Sequence, residues 1–372
     1  AVLPEVAHDE IDPQGNLLEL GLDSMMALEL RVRLNDITGL RIPTSAIFDY
    51  LTPAELAGYL ERRLTDLPLG AIDRAGDARS SLGDPASARM SPSGTLATML
   101  EAALERNAVG EFMQTLISLS MFRSTFDLAC AGDIELAWAT LAEGTAPTEL
   151  ICLPTVIALS GPHQYVRFAR EFRGNRRISA LALPGFTEGE PLPDSLEAIV
   201  EALALAVMAR CMDAPFALMG HSSGGWLAHA LAGRLERQGI SPAGVVLIDT
   251  YPTLAGISPQ ILEAVLGEAF TEEMLSLVND ERLVAMGGYL RLFVDWQPER
   301  IAASTLLVRA SEPLPGQVEQ DEWRSSWDMP HDVVDVPGDH LAIIKAHSES
   351  TAQAVGKWLS DIVENRETEE IC

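Results

Sequence analysis

A chain of 372 residues with 47% hydrophobic content is long enough to bury one large core and one small one. Its net charge of −28 disfavours any role that tracks nucleic-acid phosphates, and the acidic excess is spread, with 11 Asp and Glu against 5 Lys and Arg in residues 1–64 and 43 against 21 beyond. Cys130, Cys152, Cys211 and Cys372 stand far apart, which argues against a zinc site or disulfide framework; with no signal peptide and no 18-residue apolar run, the expected setting is the cytoplasm, with no membrane partner.

The chain starts without Met inside what reads as a structured element, as expected of a piece of a longer polypeptide. Residues 11–64 are helical in pattern, within a first domain expected over 1–64. Ser24–Thr38 places Leu28, Val32 and Ile37 near one face, with Gly39 as C-cap. Thr52-Pro53-Ala54-Glu55 reads as a capping box opening a helix with Leu56, Leu60 and Leu64 along one side. This is a small all-α domain. Residues 65–92, rich in Gly, Pro, Ser, Asp and Ala, read as a flexible linker that spans roughly 30 Å r.m.s.. Over 93–123 a helical pattern returns through Leu96, Met99, Leu100, Ala103 and Leu104, then Phe112, Met113, Leu116 and Ile117. These stripes exceed what a linker needs and point to a contact between two copies of the chain.

From about residue 148 short apolar runs alternate with longer amphipathic stretches. The runs are Leu150–Leu153, Ile178–Leu183, Phe216–Met219, Val245–Ile248, Thr305–Val308 and Val333–Val336, and Asp194-Ser195-Leu196-Glu197 opens a helix that runs to about Met212. Buried strands separated by helices imply a mostly parallel sheet in an α/β fold. The larger domain is expected over 93–364, with 365–372 as a tail. More than fifty residues lie between Asp249 and Thr305, too many for an ordinary connection. Residues 251–303 read as a helical insertion: Ser258-Pro259 opens a helix with Leu262, Val265 and Leu266, Thr271 caps a second, and Leu283–Val294 forms a third.

Gly220-His221-Ser222-Ser223-Gly224 follows one of these runs and precedes the helical Trp226–Gln238. That is the setting of G-x-S-x-G, in which a strained strand-to-helix turn lifts the serine Oγ out at the carboxyl edge of the sheet. Ser222 is the candidate nucleophile. Among seven histidines, His340 in Pro337-Gly338-Asp339-His340 follows a strand and is the candidate base, while His163, His221, His229 and His331 read as structural. Two acids would give the order Ser, acid, His: Asp249, which ends Val245–Ile248, and Glu312, which follows Thr305–Val308. An aspartate after four buried apolar residues is costly unless paired, which favours Asp249. The oxyanion hole would take the backbone N–H of Ser223 and one from Thr155 or Val156, in the loop after Leu150–Leu153.

Ser24 opens a helix, and by position alone it is an N-cap. The segment Leu20-Gly21-Leu22-Asp23-Ser24-Met25-Met26-Ala27-Leu28-Glu29-Leu30, however, resembles the phosphopantetheine attachment motif of acyl carrier proteins, with the Asp typical of polyketide carriers. Residues 150–363 resemble the terminal thioesterases of modular type I polyketide synthases, through Ser160-Gly161-Pro162-His163, Gly220–Gly225, Val245–Pro252 and Val336–His340. The resemblance implies an α/β-hydrolase thioesterase with a helical lid behind an acyl carrier domain whose first helix is reduced to Ala1–Val6. It implies covalent 4'-phosphopantetheine on Ser24, added by a phosphopantetheinyl transferase, and upstream synthase domains on the same polypeptide. It also supports Asp249 over Glu312, a homodimer through 93–123, and a lid that favours release by macrolactone formation over hydrolysis. Two readings of other classes stay open at this stage: an esterase acting on free substrates, and a carrier and docking module with an inactive thioesterase.

Overall fold

A computed structural model of the chain describes residues 12–18, 20, 22, 24–38, 40, 42, 46–47, 50, 52–65, 94–159, 161–211, 214–275, 278–314 and 323–371. The remnant helix at 1–6, the C-cap Gly39 and the linker from residue 66 to 92 lie outside these. In the first domain α1 (Ser24–Thr38) and α2 (Pro53–Thr65) bury Leu17, Leu22, Ala27, Ile47 and Leu56 in one cluster. The capping box forms reciprocally, Glu55 N–H donating to Thr52 Oγ1 at 3.2 Å and Thr52 N–H to Glu55 Oε2 at 3.2 Å. The buried face of α1 is not the predicted one. Val32 and Ile37 are 43% and 80% exposed, whereas Ala27, Leu30 and Leu34 join Leu56 and Leu60. Both stripes are apolar, and the position of α2 selects between them.

The larger domain begins with α3 (Thr95–Glu105) and α4 (Val109–Ser120). Its strands, in chain order, are β1 (Thr125–Phe126), β2 (Trp138–Ala142), β3 (Glu149–Leu153), β4 (Ile178–Leu181), β5 (Leu192–Pro193), β6 (Phe216–His221), β7 (Val245–Ile248), β8 (Thr305–Ala310) and β9 (Asp332–Val336). β1 pairs with β5; the others form a seven-stranded sheet in the order β2-β4-β3-β6-β7-β8-β9, antiparallel only at β2. β2 lies outside the predicted strands, because a short, largely apolar run such as Trp138–Ala142 reads equally as a piece of buried helix. Within the sheet, side chains alternate between two cores. Ile151, Leu153, Leu218, Val245, Leu247 and Leu307 meet α6 (Leu196–Cys211) and α7 (Ser223–Arg237), with α5 (Val166–Arg170) lying on the other side. There Leu150, Cys152, Met219, Val246, Ile248 and Val308 meet α5 and the C-terminal helix Ser348–Ile371.

Two boundaries differ from expectation. The N-cap of α6 is Ser195 and not Asp194, since Ser195 Oγ accepts the Ala198 N–H at 3.3 Å and donates to Asp194 Oδ1 at 2.7 Å. The C-terminal helix continues to Ile371 through the residues predicted as a tail, a Glu-rich run of good helix formers.

The insertion after β7 is helical, in α8 (Pro259–Ala269), α9 (Glu272–Leu275) and α10 (Asp280–Phe293). Ser258 Oγ caps α8, Thr271 Oγ1 accepts the Met274 N–H at 3.4 Å, and Asn279 Oδ1 caps α10 at 2.9 Å. Leu266, Phe270, Leu275, Leu283 and Met286 from this lid share a core with Leu100, Phe112, Met113 and Leu116 of α3 and α4. The stripes of 93–123 are thus largely satisfied within the chain, and Met99, Met121 and Phe122 remain exposed. No described helix is long and apolar enough to cross a membrane. The crossing of α4 and α10 is close: a Cβ on Gly287 would lie 2.4 Å from the Leu116 carbonyl oxygen, whereas one on Gly267 in α8 would meet nothing within 4 Å. Gly287→Ala should therefore destabilise the domain by about 1–3 kcal/mol, while Gly267→Ala stabilises it by about 0.5–1 kcal/mol, as measured by urea unfolding of the two variants.

Candidate active site

The parallel order brings the carboxyl ends of β3, β6, β7 and β8 and the loop after β9 to one edge of the sheet. Ser222 stands between β6 and α7 with φ 52° and ψ −126°, a conformation that a residue with a Cβ adopts only under constraint. The Ser222 N–H donates to the Ile248 carbonyl at 2.8 Å, and the Thr250 hydroxyl donates to the Ser222 carbonyl at 3.0 Å. The flanking glycines have a steric cause. A Cβ on Gly220 would stand 2.1 Å from the Gly224 carbonyl, and one on Gly224 would stand 2.4 Å from the Leu153 carbonyl oxygen.

His340 Nε2 lies 3.1 Å from Ser222 Oγ, and its Nδ1 lies 2.8 Å from Asp249 Oδ2. The carboxylate accepts, so Nδ1 carries the hydrogen and Nε2 is left to accept from the serine hydroxyl. Asp249 is 3% exposed and His340 5%. The second carboxylate oxygen, Oδ1, accepts the Ala310 N–H at 3.1 Å and the Ser325 hydroxyl at 2.8 Å. Burial alone would push the Asp249 carboxyl up, but the hydrogen bond and charge of His340, with the bonds from Ser325 and Ala310, hold it below the ordinary range. Glu312 is exposed and its main-chain N–H binds the Gly338 carbonyl at 3.1 Å; the structure brings Asp249, and not Glu312, to His340.

The loop after β3 runs beside the serine turn. Val156 N–H donates to Ser223 Oγ at 3.0 Å, and Thr155 N–H donates to Gln164 Oε1 at 3.2 Å. Both N–H groups are thus engaged by side chains, while Ser223, as the first residue of α7, has a main-chain N–H with no carbonyl inside the helix to receive it. The four histidines read as structural bond to carbonyls: His163 to Leu159 at 3.1 Å, His221 to His340 at 2.8 Å, His229 to Glu299 at 2.7 Å and His331 to Met329 at 2.7 Å. The bonds of Ser325 and His221 into this site escaped sequence reasoning. Ser325 carries no motif, and adjacency to Ser222 says nothing about where the His221 ring goes.

Ser24 begins α1, fifteen residues long and without an acidic residue in its first turn. A helix N-terminus favours an anion, so the position suits the phosphodiester of 4'-phosphopantetheine, and the residues fit that group.

Residues 148–359 match the family described as Thioesterase domain, and residues 1–60 match that described as Phosphopantetheine attachment site. Polyketide synthase GfsE of Streptomyces halstedii is 41% identical over 369 residues, covering 97% of this chain and 10% of the relative. Erythronolide synthase EryA3 of Saccharopolyspora erythraea is 34% identical over 360 residues, covering 96% of this chain and 11% of the relative. The chain spans about a tenth of the length of these curated relatives. Among solved structures, the thioesterase domain of NocB from the nocardicin cluster aligns with a TM-score of 0.47 at 20% identity, over 60% of this chain and 98% of that one.

The Ser325 hydroxyl gives a prediction about acid stability. Asp249 has a depressed folded pKa, so its contribution is fully present above the ordinary value of 3.8 and is lost as pH falls through the folded value. Ser325→Ala removes one donor and moves the folded value up toward the unfolded one. It should cost about 1.5–3 kcal/mol at neutral pH, a difference that shrinks toward zero once the carboxyl protonates in both proteins. Urea midpoints of wild type and variant from pH 7 down to pH 2 check this; a difference constant with pH would contradict it.

Proposed function

Because this chain belongs to the thioesterase domain family and carries a phosphopantetheine attachment domain ahead of it, we propose that it releases a finished polyketide chain from its own carrier by acyl transfer through Ser222. The observation that carries this reading is the continuous file Ser222 Oγ, His340 Nε2, His340 Nδ1, Asp249 Oδ2, with separations of 3.1 and 2.8 Å at its two hydrogen bonds. When attached to Ser24, 4'-phosphopantetheine presents the acyl group as a thioester.

Ser222 Oγ attacks the thioester carbonyl while His340 Nε2 takes the hydroxyl proton, and Asp249 steadies the imidazolium that forms. The oxyanion is received by the Ser223 N–H at the start of α7 and by the Thr155 N–H, which exchanges Gln164 Oε1 for it; Val156 keeps its bond to Ser223 Oγ and fixes the loop. Collapse breaks the C–S bond, the thiol leaves with the proton from His340, and an acyl ester remains on Ser222. His340 then deprotonates the second nucleophile, the ester C–O bond breaks, and the proton returns to Ser222.

In this reading the partners are the upstream synthase domains, a phosphopantetheinyl transferase acting on Ser24, and a second copy meeting at the apolar surface of Met99, Met121 and Phe122. The second nucleophile is a hydroxyl of the acyl chain itself. A lid built from α8, α9 and α10 limits water at the ester, and an oriented internal hydroxyl reaches an effective molarity of about 10⁵ M or more.

Ser222→Ala should abolish labelling by a fluorophosphonate and lower kcat by about 10⁶, with pantetheinylation of Ser24 intact by mass spectrometry. Asp249→Asn should lower kcat by roughly 10⁴, and Glu312→Gln should leave it within the scatter of wild type. An unlabelled wild type would leave only the carrier and docking reading, and equal rates on free esters and carrier-bound thioesters would favour the esterase. Offered a native-length thioester mimic bearing a free hydroxyl, the enzyme should yield mostly lactone by liquid chromatography; mostly linear acid would assign it hydrolytic release.

A further inference from the structure

His221 precedes Ser222 and is only 3% exposed, yet it stands outside the proton path. Its Nε2 lies 2.8 Å from the main-chain carbonyl of His340, and the two rings lie 4.8 Å apart at 37°. A carbonyl only accepts, so Nε2 carries the hydrogen, and Nδ1, buried with no hydrogen-bond partner, is the bare nitrogen. The His221 main-chain N–H donates to Tyr165 Oη at 2.9 Å, and that hydroxyl donates to the Leu153 carbonyl at 2.7 Å. One residue thereby joins the serine turn, the His340 loop and the end of β3 that leads into Thr155.

We infer that His221 is a positioning residue, whose neutral imidazole fixes the approach of His340 to Ser222 by holding the His340 main chain. The inference rests on the roles proposed for Ser222 and His340. A side chain serving only as filler would be apolar, since leucine or phenylalanine leaves no bare nitrogen buried; what an imidazole adds here is the Nε2–H donor. Elsewhere the main chain of the His340 loop is held by the N–H groups of Leu341 and Ala342 on Asp339 Oδ1 at 2.9 and 2.8 Å and by the Glu312 N–H on the Gly338 carbonyl at 3.1 Å. Those bonds shape the loop without tying it to the serine turn. Burial pushes the His221 pKa down and the nearby His340 pushes it further, so His221 stays neutral while His340 carries the proton. His221 is not an alternative base, because its hydrogen-bearing nitrogen is directed at a carbonyl and the nitrogen bonded to Ser222 Oγ belongs to His340.

The test uses the full chain and three substitutions. His221→Gln places an amide N–H near the locus of Nε2, His221→Asn reaches only as far as Nδ1, and His221→Phe keeps a ring without a donor. For each, kcat and KM with an N-acetylcysteamine thioester, the rate of fluorophosphonate labelling at Ser222 and the urea midpoint are measured. Asn and Phe should lower kcat and labelling together by roughly 30- to 100-fold with KM nearly unchanged, the scale of a misplaced reacting group. Gln should recover most of the loss. Wild-type kcat in Asn or Phe would overturn the inference, as would a Gln variant as slow as Asn with a wild-type urea midpoint. Failure of the wild type to label at Ser222 would instead overturn the proposed function; normal labelling with indifferent His221 variants would overturn the positioning role alone.

Discussion

A carboxylate at the end of a fully buried strand is the constraint on which the rest of this site depends. Asp249 follows four residues of β7 that are wholly inside the protein, and an ionised group there is costly unless its oxygens are satisfied. Three donors do so, and they come from three segments: the end of β8 at Ala310, the loop carrying Ser325, and the loop after β9 carrying His340. Satisfying one charge therefore draws a strand end and two loops to the same sheet edge. Asp249 itself adopts a φ of 43°, a left-handed conformation that aspartate tolerates better than most residues. Ser222 is bound into the same arrangement, because its N–H takes the carbonyl of Ile248, the residue before Asp249. The strain of the serine turn and the cost of the buried acid are thus met by shared backbone.

Much of this was legible in the sequence, for reasons that can be named residue by residue. The strands were visible because a parallel sheet covered on both faces demands unbroken apolar runs, and Val245–Ile248 is one with the same bounds in the structure. The serine turn was visible because Gly220 and Gly224 sit where neighbouring backbone leaves no room for a Cβ. The capping residues Thr52, Ser258 and Thr271 were visible because a cap is a local bond between residues close in sequence. What stayed hidden is long-range. Ser325 reaches Asp249 across 76 positions and His221 reaches the His340 carbonyl across 119, and no local pattern encodes either meeting. The antiparallel β2 was hidden for a different reason, since only its pairing with β4 tells so short an apolar run from a helical one. The buried face of α1 belongs to the same class, as Leu56 and Leu60 on another helix decide it.

The lid and the two helices before the first strand form one packed unit. Phe112, Met113 and Leu116 of α4 share a core with Leu283 and Met286 of α10, and Arg123 beyond α4 donates to the Glu281 carbonyl at 3.3 Å. Arg282, on the same turn of α10, is 6% exposed and donates through Nε to the Ala158 carbonyl at 2.7 Å, in the loop that holds Thr155 and Val156. α10 therefore has α4 on one flank and the loop of Thr155 and Val156 on another. The stripes of 93–123 read in isolation as surface awaiting a second copy; within the fold, most of that surface is the floor of the lid. Any apolar contact between copies would have to be made by what remains, Met99 and the adjacent Met121 and Phe122.

That packing also decides where movement can occur in the lid. α10 is held by a glycine-mediated backbone approach to α4 and by buried bonds from Arg282, so displacing it would expose a shared core. α8 is held more lightly. Among its residues Ile261, Leu266 and Ala269 are buried, while most others keep part of their surface open to solvent. Local opening follows the lowest density of buried apolar contact, which places it in α8 and the short α9 ahead of α10. α10, as the fixed wall, then preserves the Arg282 bond to the Ala158 carbonyl while the outer helices give way.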